Sequence, residues 1–313
     1  MTVSPGNYPE RLILLLALAA SSLVVTPVDV RAQELEPRAY SNTPVGMNFV
    51  LAGYQYSRGA LLFDPSLPVT DADARVDTGL FGYVRAVDVG GKSAKIGVQV
   101  PFAVLDADGF VSGSYQTRQA NGIADPSFYF SVNLFGAPAL TAAEFKDYRQ
   151  DTIVGMTFKL TPPLGAYEPD KIINLGTNRW SFEPEIGVSR VFGRWTLEGA
   201  ASVYLYSDNT NFDNGKTRQQ DPIYSVQAHA IYAFKNEIWA SIGSTYYIGG
   251  RTAIDGVANN DDLNNVRTGF TVAFPVNRSH SVKVFGSTGI STRTGTDYDS
   301  IGVAWQYRWG GGL

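Results

Sequence analysis

The stretch Ala94-Lys95-Ile96-Gly97-Val98-Gln99-Val100-Pro101-Phe102 decides the fold. Ala94, Ile96, Val98, Val100 and Phe102 share one side; Lys95, Gly97, Gln99 and Pro101 share the other. A period of two puts these sets on opposite faces of a β-strand. The same alternation recurs over Ser127–Leu134, Thr152–Leu160, Trp180–Val188, Trp195–Tyr206, Tyr224–Phe234, Val266–Val276 and Ile301–Trp309. It is less clean over 46–57, 75–87, 238–249 and 281–291. That makes twelve strands, most of them as long as a tilted strand must be to cross a bilayer.

The connections alternate short and long. The short ones are 89–92, 192–194, 235–237 and 277–279, with 135–150 as a longer exception that has room for a helical turn from Ala142 to Tyr148. The long ones are 58–74, 105–122, 163–178, 208–220 and 250–264, rich in Asp, Asn, Gly and Pro. Only the last, 293–297, is short. Short periplasmic turns with long outer loops are the pattern of outer-membrane barrels. The fold class expected is therefore all-β: a closed antiparallel transmembrane β-barrel of about twelve strands, with both termini in the periplasm. Pro184 falls inside a strand and removes a ladder donor, so a bulge or kink is expected there.

Composition agrees. The chain has 313 residues, 17% charged and 44% hydrophobic, with no cysteine and a net charge of −4. Its mean hydropathy is −0.08. A soluble domain carries roughly 25% charge, and a helical membrane protein is far more apolar. Alternation reconciles the two figures, because one face meets lipid and the other a lumen. The absence of cysteine excludes disulfide scaffolds and thiolate chemistry. The acidic balance argues against nucleic acid as a partner.

At the N-terminus, Glu10-Arg11 precede an apolar run from Leu12 to Val25, then Pro27 and Val30-Arg31-Ala32. This reads as a signal peptide over 1–32, since the run falls short of the roughly 20 residues of a spanning helix. Residues 33–45 hold two prolines and no strand pattern. This periplasmic segment is expected to fold up into the lumen as a plug, followed by the barrel over 46–313.

The parity of each strand names the inward side chains: Lys95, Tyr129, Lys159, Glu183, Glu185, Glu198, Gln227, His229, Arg267, Lys283 and Arg308. Tyr56, Trp180, Tyr224, Tyr246 and Tyr298 lie next to long loops; Trp195, Tyr232, Phe274, Trp305 and Trp309 lie near short turns. Two aromatic belts are what a barrel in a bilayer shows, although Tyr206 points inward by the same alternation.

Other chemistry is weaker. Glu183 and Glu185 form either a negative filter or an internal salt-bridge network, and the network is favoured because charges inside a small barrel must pair or meet water. Their spacing alone also suits paired-carboxylate hydrolysis, but their place inside a membrane strand speaks against it. His229, beside Ser225 and Gln227, reads as a polar lumen residue before a catalytic base. Ser279-His280-Ser281 raises an outer-membrane phospholipase as the alternative class, though it is expected in a periplasmic turn away from the lipid-facing outer rim. Asp208 to Gly215 has calcium-loop residue types, but its glycine is out of register for an EF-hand. Gly90-Gly91-Lys92 is a tight turn, with no following helix to make a phosphate loop. No metal or cofactor is expected.

Several stretches resemble one family. They are Glu34 to Asn42, Gly122-Ile123-Ala124-Asp125-Pro126, Val132 to Leu140, Tyr148 to Thr152, Gly176-Thr177-Asn178-Arg179-Trp180, Gln220-Asp221-Pro222-Ile223-Tyr224 and Ala304 to Gly310. Through them nearly all of 33–313 resembles the outer-membrane barrels labelled meta-pathway of phenol degradation. The resemblance implies a transporter-type protein linked to aromatic-compound catabolism, acting by uptake, and carries no set of binding residues. The function expected is a channel for small aromatic or hydrophobic solutes. The alternatives are a lipid hydrolase and a structural barrel without transport. The partners expected are outer-membrane lipid, small-molecule solutes and the barrel-assembly machinery. Many such barrels end in an aromatic that serves assembly, whereas here Trp309 is followed by Gly310 to Leu313.

Overall fold

The computed structural model describes residues 36–60, 69–111, 114–295 and 297–312; the leader expected over 1–32 lies outside them. Twelve strands form a closed antiparallel barrel. They are β1 (Met47–Ala60), β2 (Val69–Val89), β3 (Lys92–Val111), β5 (Ser127–Phe135), β6 (Thr152–Thr161), β7 (Ser181–Phe192), β8 (Trp195–Tyr206), β11 (Ile223–Ala233), β12 (Trp239–Gly249), β15 (Leu263–Pro275), β16 (His280–Ser291) and β17 (Asp297–Gly310). Each pairs with its neighbour in sequence along this series, and β1 closes on β17 from Met47↔Gly310 to Ala60↔Asp297. Closure leaves the wall without free edges, which is what lets strands sit in hydrocarbon.

Paired residues share a face, so the registers fix which side chains meet. Ile96, Phe128, Ile186, Val226, Ile242 and Ile301 lie on the exposed outer face. A soluble monomer rarely exposes a contiguous apolar patch beyond a few hundred Å²; here apolar side chains ring the whole barrel. No helix among the described residues is long and apolar enough to cross a membrane.

The short connections are tight. Gly90 and Gly91 both have positive φ, at 60° and 80°, and the Gly91 amide donates to Asp88 Oδ1 at 2.7 Å. Two consecutive left-handed residues suit a two-residue hairpin turn. The longer connection after β5 holds one helical turn, α1 (Ala142–Phe145), shorter than the expected Ala142–Tyr148. It starts in a capping box between Thr141 and Glu144. Hydrogen bonds from Thr141 hold the Glu144 carboxyl below its ordinary range. The cap is therefore complete at neutral pH and weakens as pH falls through the carboxylate range.

Three expectations need correction. Residues 105–122 are not a loop: β3 runs on to Val111 and turns back as β4 (Ser114–Ile123), paired along Phe102↔Ile123 to Val111↔Ser114. Residues 208–220 and 250–264 likewise supply β9 (Asn209–Phe212), β10 (Lys216–Gln220), β13 (Thr252–Ile254) and β14 (Val257–Ala258), a separate four-stranded sheet. These segments satisfy backbone groups by pairing. β4 is exposed on both faces over much of its length, so it shows no apolar alternation. Pro184 makes no bulge either. It stays opposite Phe158, and pairing to β8 passes from Phe182↔Leu205 to Glu185↔Ser202 in unchanged register. The lost donor costs ladder positions on one side and no extra residue.

Candidate functional site

The registers bring all eleven named side chains to the inner face. Gly97↔Tyr129, Tyr129↔Lys159 and Lys159↔Glu183 run across β3, β5, β6 and β7. Glu198↔His229 joins β8 to β11, and Gln227 shares the His229 face. Thr245↔Arg267 and Ala273↔Lys283 continue into β15 and β16, and Phe49↔Arg308 lies at the closing seam. Arg308 is at the short-turn rim, where its Nε donates to the Arg278 carbonyl.

Residues 36–45 lie against this inner face near the short-turn end. The Arg38 amide donates to Glu198 Oε2 at 2.6 Å, and Lys95 Nζ donates to the Ala39 carbonyl at 2.8 Å. Tyr40 Oη donates to Glu185 Oε1 at 2.6 Å, and Asn133 Nδ2 donates to the Tyr40 carbonyl at 3.1 Å. Glu36 lies 3.8 Å from Lys283 Nζ, and the Arg38 guanidinium stands 5.5 Å from the centre of the Trp239 ring. Glu183 pairs with Lys159 at 3.5 Å, and Gln227 donates to Glu185 at 3.1 Å. Both glutamates are thus paired inside the barrel, Glu183 with Lys159 and Glu185 with Gln227 and the N-terminal segment. A small void beside this segment is lined by Tyr40, Glu198, Ala200, Gln227 and His229, among others. His229 is 6% exposed and its Nε2 has no hydrogen-bond partner among the described residues.

The long-loop end is held by other groups. The buried Asp125 carboxylate accepts from the Gly165 amide at 2.8 Å, the Thr177 amide at 2.8 Å and the Thr177 hydroxyl at 2.7 Å. It therefore ties residues 162–180 to the start of β5. Leu175 from that loop packs against the inward Val76, Ala103 and Leu105. Arg179 stacks on Tyr206 with its carbon 4.2 Å from the ring centre, and Arg179 Nη2 donates to Gln220 at 2.5 Å. The stretches that resembled a family meet here, through Asp125, Thr177, Arg179 and Gln220. Replacing Asp125 with Ala leaves two partly buried amides without their acceptor, a loss of about 2 kcal/mol. The expected outcome is faster trypsin cleavage at Lys171 in outer-membrane vesicles; an unchanged rate contradicts the tether.

One wall of the interior is apolar. Leu51, Leu80, Val84 and Val76 point inward from β1 and β2, and Leu105 from β3, as the pairs Gly53↔Leu80, Phe49↔Val84 and Val76↔Leu105 require. The facing wall on β7, β8, β11 and β12 carries Glu185, Ser202, Ser225, Gln227 and Thr245. Sequence reading missed the apolar wall. Its signal was the poor alternation of 46–57 and 75–87, which are apolar on both faces.

Of the belt residues, Trp180, Tyr224, Tyr246, Trp195, Phe274, Trp305 and Trp309 are exposed on the outer face. Tyr56 and Tyr232 also point outward, by the pairs Tyr56↔Ile301 and Tyr232↔Ala240. Tyr298 does not: it is 5% exposed and lies inside, with the Arg267 guanidinium carbon 3.8 Å from its ring centre. It has the same parity as the inward Ser300 and Gly302, which proximity to a loop had masked. His280 is a second correction. Its ring faces outward, stacked on Trp305 at 5.5 Å and accepting from Trp305 Nε1 at 3.1 Å. Ser281 pairs with the inward Gln306, so the two do not form a nucleophile–base pair. In the stretch 208–215, Asp213 is bound by Lys216. No group of three or more His, Asp or Glu able to hold a metal ion occurs among the described residues.

The chain is similar in fold to the COG4313 outer membrane channel from Pseudomonas putida F1, with 20% identity and a TM-score of 0.73, over 88% of this chain and 100% of that one. Weaker likenesses are to a TodX monoaromatic hydrocarbon channel mutant (8% identity, TM-score 0.47, 85% and 90% covered) and to the KdgM porin (8%, 0.45, 82% and 98%). No curated protein matches the chain. The profile of the family described as "Putative MetA-pathway of phenol degradation" matches residues 53–306, most of the barrel. The chain therefore belongs to that family and has the closed twelve-stranded fold of outer-membrane channels.

Proposed function

We propose that this protein is an outer-membrane diffusion channel for small aromatic or hydrophobic solutes, and that residues 36–45 hold its lumen shut from the periplasmic side. The observation that carries the reading is the two-sided interior. Leu51, Leu80 and Val84 are the partly exposed members of the apolar wall and offer contact to a ring, Val76 and Leu105 being covered by Leu175, and a polar wall opposite offers hydrogen bonds. Twelve strands make a barrel narrower than the 16–18-stranded water-filled porins, so a narrow, occluded passage suits this size. The short-turn end, where Met47 and Gly310 meet, is the periplasmic end in this reading, and the loops of 162–180 face outward.

The lipid-hydrolase alternative loses its candidate pair, since Ser281 and His280 point to opposite faces. The partners are outer-membrane lipid around the apolar girdle, the solutes within, and the barrel-assembly machinery during insertion. Growth of a deletion strain tests the reading. At limiting concentrations of phenol-like carbon sources, growth is expected to slow and to recover on complementation. Normal growth on every aromatic compound contradicts transport.

A further inference from the structure

The side chain of Tyr40 is itself a phenol, and the barrel has built a slot for it. Gly155 and Gly187 face each other on β6 and β7. A Cβ added at Gly155 would lie 2.2 Å from Tyr40 Cδ1, and one at Gly187 would lie 2.2 Å from Tyr40 Cε2. The ring therefore lies flat on bare backbone, where any other residue would exclude it. Ile153 and Ala137 pack against it, and Tyr40 is 3% exposed. Its hydroxyl meets Glu185 Oε1 at 2.6 Å. Beside the ring lies a small void that His229 helps to line, and His229 Nε2 has no hydrogen-bond partner among the described residues.

We propose that this slot is a recognition site for neutral phenols, with Tyr40 as its resident occupant until a solute displaces it. The proposal rests on the channel reading for its purpose, but not for its chemistry. A ring-shaped solute with one hydroxyl reproduces both contacts of Tyr40: the flat face on Gly155 and Gly187, and the donor to Glu185. A phenolate meets the carboxylate with like charge, and benzene brings no donor, so the slot selects the protonated phenol. Displacement removes the Tyr40 hydrogen bond and ring packing from the N-terminal segment. Arg38 and Ala39 then hold it through Glu198 and Lys95. Binding is in this way coupled to loosening of the segment. Tyr40 is tethered, so its effective concentration at the slot is in the millimolar range or above. The intact protein therefore binds free phenol weakly.

The test is ¹⁹F NMR titration of 4-fluorophenol, with fluorobenzene as control, into the detergent-purified full barrel. Each variant is first checked for heat-modifiable migration. Tyr40→Ala is expected to bind 4-fluorophenol about tenfold or more tightly than the parent, by removing the tethered competitor. Adding Gly187→Ala to Tyr40→Ala is expected to abolish that gain, and Gly155→Ala serves if the first double variant does not fold. Fluorobenzene is expected to bind weakly to all. Equal affinity of Tyr40→Ala and the parent, or insensitivity to both glycine substitutions, overturns the proposal. Equal binding of fluorobenzene and 4-fluorophenol overturns the role of Glu185. Failure of aromatic uptake in cells with these affinities intact removes the transport reading and leaves the site standing.

Discussion

Single-channel conductance in planar bilayers is expected to rise several-fold when residues 36–43 are deleted. The segment enters the lumen at the level of Lys95, Glu198 and Lys283, where it places a backbone, the Tyr40 ring and the Arg38 side chain across the passage. None of its residues belongs to a barrel strand, since β1 begins at Met47. The deletion therefore spares the closing seam with β17. It also replaces with water the groups that the segment presents to Glu185, Glu198, Lys95 and Lys283, while Gln227 and Ser189 stay on the two glutamates. Those charges then line an aqueous path, which is what a conducting pore needs. Unchanged current would mean that the segment does not limit the passage. A smaller step in the same direction is expected for Glu198→Gln, which weakens the bond to the Arg38 amide.

The second large effect is on stability. Arg267 is 1% exposed on β15. Its guanidinium stacks on Tyr298, Nη1 donates to the Tyr298 carbonyl at 3.0 Å, and Nη2 donates to Ser287 Oγ at 2.8 Å. The residue thus ties β15 to β16 and β17 from inside. Arg267→Met keeps much of the volume and removes the stack and both donors. The expected loss is about 4 kcal/mol, from one desolvated cation–π contact, the buried Tyr298 carbonyl left without this donor and the lost bond to Ser287. It reads out as a lower urea midpoint for loss of the heat-modifiable form. Arg267→Lys retains charge without the planar fork and is expected to fall between the two. A midpoint equal to that of the parent would contradict this assignment.

The barrel itself was legible because lipid and lumen impose opposite demands on alternate residues. Ala94–Phe102 and Ile301–Trp309 show this plainly, and the structure places them in β3 and β17. β4 was not legible, since a segment exposed along much of both faces carries no apolar alternation, and the four-stranded sheet was not, since most of its buried positions, Asn209, Arg218 and Thr252, are polar. Parity also reached the site. Glu183, Glu185, Glu198 and Lys95 share the inner face because each lies an even number of residues from other inward positions on its strand. What parity cannot give is the partner across the lumen. Nothing in the spacing of Tyr40 points to Gly155, Gly187 or Glu185, which come from strands more than a hundred residues away. Tyr298 and His280 are a simpler case. Tyr298 keeps the inward parity of Ser300, and His280 the outward parity of Val282, although each lies beside a loop or turn.

The central claim is passage of small aromatic solutes through this barrel. The most direct measurement is the initial rate of uptake of labelled phenol by intact cells at limiting concentration, in three strains: parent, deletion, and deletion complemented with the chain lacking residues 36–43. The account predicts a slow rate in the deletion strain and a rate at or above that of the parent in the complemented one. Equal rates in all three strains would contradict it.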